Sequence, residues 1–145
     1  MTVEDRIRLL DDASAARLLQ RFASAQPHVD RPETLDAALV EQFAERLGVT
    51  ASPDPRAGDL ARTALELVAQ DPAHRRGLTA LIESPAPERY GVVETAFLVS
   101  AVLVALQTHV RFERDKAGGW SIKVEKRPTD TNLLKELVRK LLSFG

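Results

Sequence analysis

The sequence predicts an α+β fold that is mostly helical: a bundle of about five short helices over residues 1–84, followed by a helix–β-hairpin–helix module over residues 85–145. Three observations carry this expectation. Apolar residues recur at helical spacing in short segments from Val3 to Ile82, separated by connections rich in proline and glycine. An apolar run, Val92–Leu106, then leads into a stretch with period-two alternation around Gly118-Gly119. The charge changes at the same place. Residues 1–108 hold 11 Arg against 16 Asp and Glu, a balance of −5, whereas residues 109–145 hold 9 Lys and Arg against 5 Asp and Glu, a balance of +4. All five lysines (Lys116, Lys123, Lys126, Lys135 and Lys140) lie in that last part, and Ser84-Pro85-Ala86-Pro87 is the expected seam between two modules. A solvated C-terminal face is the plainer explanation of the charge step.

In chain order, Val3, Ile7 and Leu10 begin an apolar stripe that Leu18, Leu19 and Phe22 continue beyond Asp11-Asp12. One bent helix or two short ones would satisfy this pattern, with Asp12 able to cap the second. Gln26-Pro27 through Arg31-Pro32 is a connection, because each proline disfavours helix in the residue before it. Pro32 suits the first turn of the next helix, whose stripe is Leu35, Ala38, Leu39, Phe43 and Leu47. Gly48 stands where a left-handed cap ends it. After a proline-rich loop from Thr50 to Gly58, Leu60, Ala61, Ala64, Leu65 and Val68 mark a helix following Asp59. Asp71-Pro72 caps and starts another, carrying Leu78, Leu81 and Ile82, in which Gly77 costs about 1 kcal/mol relative to alanine. No repeat of fixed period and no low-complexity tract is present.

The Val92–Leu106 segment is apolar nearly all round, so it is expected to be buried on most sides. Ala101 and Ala105 would let a neighbouring backbone come close. A membrane span needs about 20 apolar residues, and this run is shorter and carries Glu94, Ser100 and Gln107 nearby, so no span is expected. In the hairpin, a three-residue turn at Ala117-Gly118-Gly119 would set Phe112 opposite Val124, Arg111 opposite Glu125 and Glu113 opposite Lys123. One apolar pair and two opposite-charge pairs then follow from one register, each contributing roughly 0.2–1 kcal/mol. Arg127-Pro128 ends the ribbon, and Thr129, Asp130 or Thr131 can cap a last helix. Leu133, Leu134, Leu137, Val138, Leu141 and Leu142 line that helix, with Lys135, Glu136, Arg139 and Lys140 on the opposite side. The ribbon's apolar face is expected to pack on this helix and on Val92–Leu106, because a lone two-stranded ribbon is marginal in water.

The same residues bound the function. A chain of 145 residues can bury a core without staples, and the lack of cysteine excludes disulfides, thiol nucleophiles and thiolate metal sites. A cytoplasmic location is the expectation, since MTVEDRIRLLDD is acidic where an export signal would be basic and then apolar. His28, His74 and His109 stand in separate segments with no second ligand at a metal spacing. No serine sits in a nucleophile-elbow context, and Gly118-Gly119 is a turn rather than a phosphate cradle because no helix follows it. Glu94 in the first turn of its helix is a favourable dipole partner before it is a catalyst. No catalytic, cofactor-binding or metal-binding residue is therefore expected, and no cofactor.

The favoured class is a non-enzymatic interaction module. A two-stranded ribbon has two free edges that invite strand addition. The doubled leucine stripe is also wider than a short ribbon needs to cover. Phe112, Trp120, Ile122, Leu134, Leu137 and Leu141 are the candidate contact residues for a homo-oligomer, a dimer first of all, so that Trp120→Ala with Leu137→Asp should abolish association. A nucleic-acid-binding regulator using the basic C-terminal part is the alternative. The sign alternation along the ribbon and the single tryptophan speak against it. An enzyme without a readable motif is the third class.

The composition, rich in Ala, Arg, Asp and Leu with no Lys before residue 116, resembles that of proteins from high-GC bacteria such as actinomycetes. The segment from Glu94 to Thr108, the segment from Phe112 to Ser121 (FERDKAGGWS) and the leucine-rich last helix resemble the tails of small accessory proteins of bacterial conflict systems, akin to effector-associated domains. The resemblance covers about the last third of the chain. It implies an adaptor that brings a signalling NTPase, a protease or another effector together by like-with-like contacts, and it carries over no functional residue.

Overall fold

The computed structural model describes residues 2–26, 37–50, 57–83, 95–107, 110–114, 116–117, 120–124 and 131–144. Seven helices occupy them: α1 (Val3–Arg8), α2 (Asp12–Ala25), α3 (Ala37–Leu47), α4 (Ala57–Ala69), α5 (Pro72–Glu83), α6 (Thr95–Leu106) and α7 (Thr131–Phe144). Strands β1 (Val110–Arg114) and β2 (Trp120–Val124) lie between α6 and α7 and pair antiparallel.

Local chemistry accounts for the helix ends. Thr2 and Asp5 form a reciprocal capping box at α1, the Thr2 Oγ1 accepting from the Asp5 amide at 3.2 Å and Asp5 Oδ2 from the Thr2 amide at 3.1 Å. The cap of α2 is Asp11 rather than the expected Asp12: its carboxylate accepts from the Ser14 amide at 2.7 Å. The segment is thus two helices, not one bent helix. Gly48 takes φ +68°, the Gly48 amide donates to Glu45 O and the Val49 amide to Ala44 O, the paired bonds of a Schellman cap. Asp71 caps α5 through the Ala73 amide at 3.0 Å, with Pro72 as first helical residue. Helix α4 begins at Ala57, two residues before the Asp59 expected to precede it. Pro32, Glu94, the Ser84–Pro87 seam, Gly118-Gly119, Thr129 and Asp130 lie outside the described residues.

Helix α4 stands at the centre. It packs against α1, α2, α5, α6 and α7, and Leu60, Ala61, Ala64, Leu65, Leu67 and Val68 are all fully buried. Helix α6 lies against α2 and α4, and its burial is as continuous as its composition requires: every residue from Ala101 to Leu106 is buried. At 12 residues it is too short to cross a membrane, and no helix among the described residues is long and apolar enough to do so. Helix α7 packs against α3 and α4. One apolar core therefore joins Ile7, Leu19, Phe43, Leu65, Leu103 and Leu137, from six different helices.

That core corrects the expected fold class. The architecture is helical, not α+β, because α6 and α7 are spent on the same core as α1–α5 and, among the described residues, no sheet forms a layer over it. Five residues per strand are too few to cover a helical bundle, and among the described residues β2 has α3 for a neighbour, whereas the sequence had assigned it to α6 and α7. The expected register is corrected as well. Phe112 pairs with Ile122, Arg111 with Lys123, Glu113 with Ser121 and Arg114 with Trp120, so opposed numbers sum to 234 instead of 236. Neither predicted ion pair follows from this alignment: Glu113 has Ser121 across from it, and Arg111 has a second cation.

Candidate interaction site

The six sequence-predicted contact residues divide into two groups. Leu134, Leu137 and Leu141 are buried, with Leu137 at 0% exposure, and they face the α3–α4 side of the core. The leucine stripe of α7 is wide because it meets two helices within the chain. These three are corrected from surface contacts to core residues. Phe112, Trp120 and Ile122 occupy ribbon positions of like parity and so share one face of it by backbone alternation. Their side-chain surroundings lie outside the described residues.

The polar side of α7 also turns inward in part. Lys140 Nζ donates to Thr63 Oγ1 at 2.7 Å, and that hydroxyl donates in turn to Asp59 O at 2.8 Å, one helical turn back in α4. Arg139 Nε donates to Thr50 O at 3.2 Å, just beyond the α3 cap. The late basic residues of α7 thus fasten it to α4 and α3. Only part of the basic C-terminal surface is left to an outside partner. On the ribbon, Arg111 opposite Lys123 places two cations at adjacent backbone positions, an arrangement that costs stability unless an anion answers it.

A second charged surface was not legible in the sequence. Helix α1 packs on α4 with Ile7 fully buried, and reaches α5 through side-chain ion pairs. Glu4 meets the Arg75 guanidinium through both oxygens, one of them at 2.9 Å. Arg8 Nε donates to Glu66 Oε1 at 2.6 Å, and Arg6 reaches Glu83 at 3.5 Å. The Arg75 hydrogen bond holds the Glu4 carboxyl below its ordinary value, the pair raises Arg75, and Glu66 raises Arg8. At the α1–α2 turn, Arg62 donates to Leu10 O and Asp12 Oδ1, both at 2.9 Å, and to Asp59 Oδ1 at 2.5 Å. Of these pairs only Arg62–Asp59 has a sequence signal, its spacing of three on a helix. The others join residues 50 to 77 positions apart.

His74, one of the three histidines weighed as ligands, stands 3.0 Å from Asp71 Oδ2, with its ring edge-on to Phe22. It is a cap partner of α5. His28 and His109 lie outside the described residues. Among the described residues no group of three His, Asp or Glu side chains could hold a metal ion. No protein-family model, curated protein or solved structure matches the chain.

Proposed function

We propose that this chain is a non-enzymatic protein–protein interaction module that self-associates through the β1–β2 ribbon. The observation that carries the reading is the ribbon itself: two five-residue strands that, among the described residues, pair only with each other. Such a ribbon is marginal alone, and strand addition from a second copy extends it. The leucine face of α7 has no part in the contact, since the chain's own core uses it. Phe112, Trp120 and Ile122 remain as the apolar anchors. The resemblance to accessory proteins of bacterial conflict systems supports an adaptor role, with an effector enzyme as the further partner. Sedimentation of wild type against Phe112→Ala/Trp120→Ala tests the contact: a concentration-dependent dimer lost in the double variant is expected, and an unchanged oligomer, or a wild-type monomer at high concentration, rejects it.

One observation favours the alternative of a nucleic-acid-binding regulator. The sign alternation that spoke against it dissolves in the actual register, where Arg111 opposes Lys123. This reading requires binding of duplex DNA or RNA that weakens steeply with salt and is reduced by Arg111→Ala/Lys123→Ala. Salt-independent or absent binding removes it.

A further inference from the structure

Residues 2–26 contain neither glycine nor proline, yet the chain bends between α1 and α2. The bend is made locally. Leu9 already has right-handed helical geometry (φ −82°, ψ −10°), whereas Asp11 is extended, with ψ 169°. Asp11 keeps that geometry by capping α2, and Arg62 holds the Leu10 carbonyl. If Asp11 turned helical as well, the apolar stripe of Val3, Ile7 and Leu10 would run on into α2 as one helix of 23 residues, about 35 Å long at 1.5 Å per residue. The α1 segment would then project from the molecule and could not reach its own seat.

The seat it would leave is specific. It takes one apolar plug, Ile7, which is fully buried, and three charge contacts in a fixed order along α1: Glu4 to Arg75, Arg6 to Glu83 and Arg8 to Glu66. Six helical residues cannot hold a helix on their own in water, so α1 depends on this seat. The charge contacts are partly exposed and loosen with salt. Leu9, the exposed large apolar residue of the described chain at 71%, sits on the hinge.

From these features we infer that α1 is an exchangeable arm: two copies of this chain associate by each seating its α1 in the α4–α5 site of the other. A second copy is the occupant because the seat's pattern of one apolar plug and three charges is complementary to α1 itself, and a two-fold exchange satisfies both seats with identical contacts. The inference extends the self-association reading but uses a different surface, so each can fail without the other.

The chain lacks cysteine, which allows a direct test. Arg6→Cys and Glu83→Cys remove only the longest of the three charge contacts. When the two single variants are mixed and treated with a short bismaleimide, a cross-linked peptide joining position 6 of one chain to position 83 of another, in excess of the like-with-like products each variant gives alone, marks α1 of one copy seated on α5 of another. The double variant in one chain reports the closed form by internal cross-linking. Asp11→Ala, which removes the α2 cap, should raise the interchain product about fivefold per hinge, the equivalent of the ~1 kcal/mol of a lost cap. Asp12→Pro requires an extended residue 11 and bars a continuous helix, so it should abolish the product. The product should persist in a Phe112→Ala/Trp120→Ala background. Internal cross-linking with no interchain product, even with Asp11→Ala at high concentration, overturns the exchange.

Discussion

Asp12 lies directly over Gly58, and the same carboxylate accepts from Arg62 at 2.9 Å. A methyl group at position 58 would overlap that carboxylate and the Asp12 Cβ with it. The start of α2 and the start of α4 are thus in contact through a glycine that the sequence offers only as the end of a proline-rich loop. Gly58→Ala is expected to destabilise by roughly 1–3 kcal/mol, because Asp12 must leave both its place and Arg62. Gly77, exposed within α5 with open space around it, is the contrasting site: Gly77→Ala should stabilise by about 1 kcal/mol. Chemical denaturation of the two variants should move the midpoint in opposite directions.

The ribbon register has its own test. With Arg111 opposite Lys123, Lys123→Glu turns a like-charge pair into an opposite-charge pair and should stabilise the ribbon by roughly 0.2–1 kcal/mol. In the register expected from the sequence the same change would set the introduced carboxylate against that of Glu113 and weaken the ribbon. Hydrogen exchange of the β1 amides distinguishes the two: slower exchange in the variant supports the Arg111–Lys123 alignment, and faster exchange rejects it.

Leu137→Asp probes the reassignment of α7. A carboxylate placed at a fully buried leucine site loses the apolar contacts and gains an unpaired charge, so the protein should lose about 4 kcal/mol or more and unfold. Retained helical circular dichroism and a normal melting temperature would return Leu137 to the surface.

Acid sensitivity follows from three carboxylates. The Arg75 hydrogen bond lowers Glu4, the Thr2 amide lowers Asp5, and the Ser14 hydrogen bonds lower Asp11. Each folded-state value lies below the unfolded one, so the unfolded chain takes up protons first as the pH falls. Their stabilisation is complete above the unfolded values and is lost on going down through the folded ones. The melting temperature should hold between about pH 7 and 5.5 and fall between about pH 5 and 3. Asp11→Asn, which caps without titrating, should flatten part of that fall.

Local structure was legible in the amino-acid sequence. Apolar periodicity, Gly48 and Asp71-Pro72 act within a few residues, so spacing alone located the helical segments and two of their ends, while the break between α1 and α2, which spacing leaves open, rests on Asp11 capping α2. The all-round apolar character of α6 likewise required burial, and the chain obliges. What each face meets was settled by tertiary packing. That packing made α4 the central helix, gave the leucine stripe of α7 to α3 and α4, and set the ribbon two residues away from the alignment its charges suggested. It also set Glu4 on Arg75 and Asp12 on Gly58. Such choices join positions far apart in the chain, where many partners of similar polarity are available, and the packing of the whole core selects among them.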